Sequence, residues 1–271
     1  MKDSQYFNVK YCLNEVLHKY GAQVHILNEP YLSRMLATFC VAETKQPLVS
    51  SLVRILYSQL LSILISAEFP RRVEKVTTRM IHYNKEGQFE AEILDVSVPV
   101  VTCAIARAGI LPSQVCFETL NAFFHSDKIR QDFVYLAREV NEKEEVVGTH
   151  VSGYKIGGPV ESAYVLIPDP MGATGGTVTK TVELYKEQVE GKPKKFISLH
   201  LIVTPEYIKR ITQEHPDVII YALRLDRGLS SARALKAIPG TYPEEEKGLN
   251  EKDYIVPGAG GIGEILNNSF V

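Results

Sequence analysis

An α/β fold with a mainly parallel sheet flanked by helices is predicted by three observations in this 271-residue sequence. Short apolar runs rich in Val, Ile and Tyr recur at 98–106, 132–137, 163–168, 196–203 and 218–223. Segments of helical period separate several of them, at 111–124, 177–188 and 205–214. The runs are apolar on both faces, as strands are when helices cover a sheet from both sides, and alternation with helices is what parallel pairing requires. In open sheets of this kind ligands sit at the carboxyl ends of the strands.

Before the first run, Leu32, Met35, Leu36, Leu48, Leu52, Ile55, Leu56 and Ile63 recur at spacings near three and four across 30–69, which predicts a helical opening layer. Two alternating segments, 75–83 and 88–94, flank the turn residues Asn84-Lys-Glu-Gly87 and predict a hairpin arm suited to pairing or dimerisation. The stretch 140–161 has four glycines, mixed charge and no sustained period, which predicts a long mobile loop or a weak hairpin. Loops of that length in compact domains are often lids. Beyond Arg224 the chain is expected to stay irregular, with turns at Pro239-Gly240 and Pro243. The whole is read as a single domain of three regions: helical 1–70, core 71–223 and C-terminal segment 224–271.

Composition narrows the function. With 45% apolar and 23% charged residues and a net charge of −2, the chain is an ordinary globular protein without the basic field that nucleic acid demands. The four cysteines, Cys12, Cys40, Cys103 and Cys116, form no CxxC pair and no zinc-spaced cluster, so they are read as small hydrophobes in a reducing compartment. The polar start lacks a signal-peptide core. The longest apolar run, near 60–67, is far below the roughly 18 residues that span a bilayer. A cytoplasmic location with no membrane partner is expected.

The chemistry-bearing feature lies where the strand at 163–168 ends in Asp169 and Thr174-Gly-Gly-Thr177 opens the next helix. Helix N-termini expose unpaired N–H groups and partial positive charge, and Gly175 and Gly176 let backbone approach a phosphate with no Cβ in the way. Thr174 and Thr177 can add hydroxyl donors. A plain strand-to-helix turn, with Thr177 as N-cap, is the competing account of those four residues alone. The strand and terminal acid before them favour the phosphate reading.

The segment Asp169-Pro-Met-Gly-Ala-Thr-Gly-Gly-Thr177 resembles the 5-phosphoribosyl-1-pyrophosphate (PRPP) signature of type I phosphoribosyltransferases, in the uracil phosphoribosyltransferase variant where proline replaces the second acid. Position 172 is usually a larger apolar residue there. Ala106-Arg107-Ala108-Gly109 resembles the family's pyrophosphate loop, for which a strained Ala106–Arg107 peptide, open to the cis form, is implied. Leu136-Ala-Arg138-Glu139 resembles a strand-end arginine that contacts PRPP. Gly248-Leu-Asn-Glu-Lys-Asp-Tyr254-Ile-Val-Pro-Gly258-Ala-Gly260 resembles the uracil-binding segment. The matches span roughly 70–265 and interrupt only at 230–247, which looks like an insertion.

The resemblance implies uracil plus PRPP giving UMP and pyrophosphate. Asp169 and Arg107 would be catalytic. Arg107, Arg138, Asp169, Pro170, Met171, Gly172, Ala173, Thr174, Gly175, Gly176, Thr177 and Gly261 would hold PRPP. Tyr254, Ile255, Gly260, Gly261 and Ile262 would form a C-terminal hood that binds uracil through an extended backbone. Mg2+ would arrive on PRPP with no direct protein ligand, and a homo-oligomer and a GTP effector are further implications. Arginine suits the phosphate-facing positions because its planar fork binds two oxygens and stays charged, although a lone strand-end arginine more often makes a surface salt bridge. At Gly261 the chain departs from the family, which usually carries an acid there, and Glu264 is the nearest replacement. A phosphoribosyltransferase for another base and a non-catalytic nucleotide-sensing regulator are the rival readings. Gly258-Ala-Gly260-Gly-Ile-Gly263 also satisfies a dinucleotide fingerprint, yet too little chain follows for the helix, strand and acid that motif needs.

Overall fold

A computed structural model describes residues 10–140 and 146–269, without the side chains of residues 138–140, 146–147 and 149. In chain order the elements are β1 (Val24–Ile26), α1 (Pro30–Cys40), α2 (Leu48–Glu68), β2 (Arg71–Thr77), β3 (Gln88–Leu94), β4 (Val100–Ala106), α3 (Ile110–Asn121), β5 (Ile129–Val140) and β6 (Val146–Lys155). They continue with β7 (Tyr164–Pro168), β8 (Met171–Gly172), α4 (Gly176–Gln188), β9 (Lys195–Val203), α5 (Pro205–Glu214), β10 (Val218–Leu225), α6 (Ala232–Lys236) and α7 (Ile262–Ile265). The main sheet runs β1-β10-β9-β7-β4-β5-β6, with β8 beside β9. Its pairs are parallel except β5–β6, so the expected fold class is the one found.

Both faces are covered. On one, α1, α2 and α3 pack Leu36, Leu56, Leu60 and Leu120 against Leu166, Leu199 and Tyr221. On the other, α4 and α5 pack Val178, Val182, Tyr207 and Ile211 against Val165, Ile167 and Ile220. Successive strand residues therefore serve opposite layers, which is why these strands read as unbroken apolar runs. Helix α2 is long and apolar enough to cross a membrane by length and composition, with a window hydropathy of 1.8. Half of that window is buried, and Leu52, Leu56, Leu60 and Leu64 face the sheet layer, so its hydrophobicity is used as core.

The differences from expectation have local causes. β1 is missed because three residues carry no periodicity, and it exists as a parallel edge beside β10. The hairpin forms with β3 as expected, but its first strand is β2, four residues earlier than the expected start. Thr78 accepts the Met80 N–H and turns residues 79–82 into a 3-10 turn. Residues 146–155 of the stretch 140–161 form β6, paired antiparallel with β5, so the weak hairpin prevails over the loop; residues 141–145 of the expected lid lie outside the described residues. The irregular C-terminal stretch contains α6 and α7, each too short for periodicity to reveal.

Candidate active site

β7 is buried along its whole length and leaves the sheet at Pro168. The loop behind it is stitched to the carboxyl end of β9. Asp169 N–H donates to Leu199 carbonyl at 2.9 Å, Ile202 N–H to Pro170 carbonyl at 3.1 Å and Thr204 N–H to Gly172 carbonyl at 3.1 Å. Thr204 Oγ1 donates to Ala173 carbonyl at 2.7 Å and accepts the Tyr207 N–H at 3.0 Å, capping α5 and holding the loop with one hydroxyl. Gly172 takes part in β8, and a Cβ there would lie 2.9 Å from Val203 and 3.2 Å from the Tyr207 ring. Tyr207 and Val203 already fill the room that a larger residue at 172 would use.

Beneath the loop, His200 Nδ1 lies 2.6 Å from Asp169 carbonyl and its Nε2 lies 2.7 Å from Tyr207 Oη. A carbonyl can only accept, so Nδ1 carries the proton and Nε2 accepts from Tyr207. Tyr207 has one proton, so Ser198 Oγ, 3.0 Å away, donates to it in turn. Burial lowers the His200 pKa to about 3, which keeps the relay neutral. Asp169 itself is only partly accessible. Loss of hydration raises its pKa to about 6, against a smaller downward pull from the Met171 N–H at 3.3 Å.

Gly175 stands at the N-cap of α4 with φ +82, and no side chain caps the helix. Thr177 is therefore not the N-cap that the plain-turn account needs; the left-handed residue is the glycine, and Thr177 lies inside the first turn. Thr174 and Thr177 border a crevice of about 790 Å3, together with Arg107, Tyr254 and Glu264. Asp169 lies in an adjoining recess of about 60 Å3 that shares Thr174 and Thr177. A hollow of about 870 Å3 on the far side of the same turn, between β6 and α4, also touches Thr174. Its Lys180 and Arg210 are occupied by Glu183 at 2.7 Å and Glu214 at 3.1 Å.

Arg107 follows β4, and the Ala106–Arg107 peptide is cis, as expected. Gly109 then packs so tightly that a Cβ would lie 2.8 Å from both Ile105 and Pro168 carbonyl oxygens. That close approach brings the β4 and β7 loops to one rim. The exposed Arg107 guanidinium donates to Ser269 Oγ at 3.1 Å. Arg138 belongs to the carboxyl end of β5, and its side chain lies outside the described residues.

The base segment is built differently from expectation. Ile255 and Ile262 are 8% and 3% exposed, so their side chains are core and only their backbone can face a ligand. The Leu249–Ile255 bridge uses the peptide groups of Gly248, Asn250, Tyr254 and Val256, which turns those of Ile255 the other way. Residues 262–265 form α7 rather than extended backbone, because Gly261 and Ile262 carbonyls accept from Ile265 at 3.1 Å and Leu266 at 2.9 Å. Only their N–H groups stay available for reading an edge. The Glu264 carboxylate folds over Gly261, so a Cβ there would require that side chain to swing aside.

Sequence reasoning missed the supports. Glu206 accepts the N–H groups of Gly248 at 2.9 Å and Leu249 at 3.1 Å, and Asp226 accepts that of Gly258 at 2.7 Å. An acid in the first turn of α5 and an Arg-x-Asp pair at the end of β10 were the available signals, both too common to single out. The stretch 230–247 packs on the N-terminal segment through Glu246, which accepts from Tyr20 Oη at 2.5 Å and pairs with Arg227 at 2.8 Å.

A family model described as uracil phosphoribosyltransferase matches residues 26–241. Over 169 residues the chain is 32% identical to the uracil phosphoribosyltransferase of Mycoplasma capricolum, covering 62% of this chain and 66% of that one, just under two thirds. Over 202 residues it is 36% identical to that of Malacoplasma penetrans, covering 70% of this chain and 82% of the relative. The AQ2163 protein from Aquifex aeolicus superposes with TM-score 0.66 at 23% identity, covering 90% of this chain and 97% of that one, which shows a shared fold.

Proposed function

The chain belongs to the uracil phosphoribosyltransferase family, and from that premise we propose that it converts uracil and PRPP to UMP and pyrophosphate in pyrimidine salvage, as a cytoplasmic enzyme. The observation that carries the reading is the convergence on one crevice of Arg107 after β4, Thr174 and Thr177 at the start of α4, and Tyr254, Gly263 and Glu264 of the C-terminal segment. In the reaction the ribose C1–O bond to pyrophosphate breaks, a C1–N1 bond to uracil forms and the N1 proton leaves. Cationic charge grows on the ribose ring while negative charge grows on the leaving group. Asp169 at the end of β7 would offset the first and hold the ribose hydroxyls. Arg107 would balance the second after exchanging its Ser269 contact for the diphosphate. The α4 N-terminus and its two threonines would seat the 5′-phosphate. Arg138 is assigned to PRPP by family resemblance.

A divalent metal is typical of this family, and Mg2+ on the diphosphate is the proposed species. The oxygens at hand suit a hard cation carried by its substrate: Glu264 lines the crevice and Asp169 the adjoining recess, where their carboxylates would face a metal held by the diphosphate. Among the described residues no group of three or more His, Cys, Asp or Glu gathers to bind it alone. When bound, the metal supplies charge neutralisation for the leaving group. The proposal includes one domain over 1–271 and a homo-oligomer through the β2–β3 arm, supported by exposed Val73, Met80 and Tyr83. GTP as effector rests on resemblance alone.

The test is pyrophosphate release from PRPP and Mg2+ with uracil, cytosine, hypoxanthine and orotate in parallel. Release with uracil alone is expected, because a base site of fixed backbone donors and acceptors rejects a mismatched edge by up to ~10^4-fold. Release with a purine or orotate would replace the assigned base. Binding of PRPP without release from any base would establish the regulator instead.

A further inference from the structure

The groups proposed to read the base are backbone N–H and C=O, so their aim depends on what fixes the backbone from behind. Arg224 and Asp226 stand at the end of β10, and Asp226 is 2% exposed. Asp226 is itself pinned to the sheet by its N–H, which donates to Val203 carbonyl at 2.8 Å. Arg224 grips its carboxylate with two bonds, Nε to Oδ1 at 2.6 Å and Nη2 to Oδ2 at 2.8 Å. Both members then reach one residue of the base segment. Asp226 Oδ2 accepts the buried Gly258 N–H at 2.7 Å, and Arg224 Nη2 donates to Gly258 carbonyl at 3.2 Å. Gly258 has φ +61, and a Cβ on it would collide with the Ile255 carbonyl oxygen. Gly258 is thus packed directly against the Ile255 carbonyl. Gly228 N–H to Val256 carbonyl at 3.0 Å closes the same turn against the root of the pair.

We propose that the Arg224–Asp226 pair is the positioning unit of the base site, holding both polar groups of Gly258 so that the Ile255 and Gly260 backbone meets the pyrimidine edge in register. This rests on the reading of the crevice as a uracil site. An ion pair with a buried carboxylate and a half-buried arginine contributes little net stability, whereas a fixed hydrogen-bond pattern can distinguish ligands that differ in one donor. The pair touches no reacting atom and acts through Gly258.

The experiment compares Asp226→Asn and Arg224→Lys with the unaltered chain. Asparagine keeps the shape and loses the charge; lysine keeps the charge and lacks the fork that reaches Asp226 and Gly258 together. For each, KM for uracil, KM for PRPP, kcat and the uracil-to-cytosine ratio of kcat/KM are measured, with hydrogen exchange across 254–262 and 169–177. Expected are a rise of about 10-fold or more in uracil KM, the size of a lost charge-assisted bond, and a lower uracil-to-cytosine ratio. PRPP KM should stay within about 2-fold, with faster exchange confined to 254–262. Should Asp226→Asn fail to fold, Arg224→Lys carries the same readouts. Unchanged uracil KM and base ratio in a folded variant would overturn the positioning role, as would a parallel rise in PRPP KM, which marks general loosening. An unaltered chain that turns over no uracil overturns the reading of the site and is seen before any variant is made.

Discussion

The proposed phosphate loop and the proposed base segment border the same crevice, yet they are held in opposite ways. Residues 169–177 form one continuous strand–turn–helix unit whose backbone bonds run to the adjacent β9, and whose left-handed Gly175 sits where the helix starts. Residues 248–262 have little regular structure of their own and hang from three distant side chains, Glu206, Arg224 and Asp226. A site for the phosphate common to every PRPP can be built into the fold itself. A site that must tell one base from another is attached to it by polar anchors.

The largest expected effect removes the charge at the phosphate side. Asp169→Asn should lower kcat by at least ~100-fold with the fold intact, as measured by steady-state assay and thermal melting; near-normal turnover would remove Asp169 from the mechanism. Because burial raises the Asp169 pKa to about 6, the folded chain binds that proton more tightly than the unfolded one, whose ordinary value is 3.8. The carboxyl therefore favours folding at low pH, and that contribution is lost as pH rises through about 6. The asparagine variant should melt no lower than the unaltered chain at pH 8. The kcat/KM for PRPP should fall as pH drops through about 6 in the unaltered chain, and a flat profile there would detach activity from this group.

Breaking the loop's backbone comes next. Gly175→Ala puts a side chain at φ +82 with its Cβ 3.3 Å from Arg210 Cδ, and should cost about 1–2 kcal/mol of stability. PRPP KM should rise by about 10-fold or more while uracil KM holds, since the phosphate-facing N–H groups shift by fractions of an ångström. If the contrast between the two regions is real, Glu206→Gln does the reverse. It weakens the bonds to Gly248 and Leu249 and should raise uracil KM by about 3- to 10-fold without touching PRPP KM. Equal effects on both constants would erase the distinction.

The smallest effect is expected at Gly261. Family resemblance alone suggests that Gly261→Asp improves turnover, but the Glu264 carboxylate occupies that space. The single substitution should change kinetic constants by under ~3-fold, since two neighbouring acids repel in a partly exposed rim. Improvement should emerge only when Gly261→Asp is combined with Glu264→Ala, and a marked gain from the single variant would show that Glu264 moves freely.

How much was legible in the sequence follows the same division. The β7 run, Asp169 and Thr174–Thr177 are adjacent in the chain, so local pattern and resemblance located them together. Glu206 and Asp226 could not be found that way, because their partners Gly248 and Gly258 are brought to them by the path of the chain after β10. The extended backbone expected at 260–262 failed for a related reason: α7 is a single turn fixed by the packing of Ile262, not by any periodicity. His200 carries no local signal in the sequence, and only the folded sheet shows it facing Tyr207 beneath the loop.

The insertion leaves the base segment at Leu229 and returns at Lys247, where Leu229 N–H meets Lys247 carbonyl at 3.0 Å. Entry and exit are one hydrogen bond apart, so the path from Asp226 to Gly258 is the same whatever length of chain is spliced between them. The excursion's outer edge carries Glu244, 83% exposed, while Glu246 near its root is locked to Arg227. A foreign peptide or fluorophore grafted at Glu244 would ride on a loop whose two ends are already tied together, giving a handle near the candidate site at the cost of the exposed Lys209 pair.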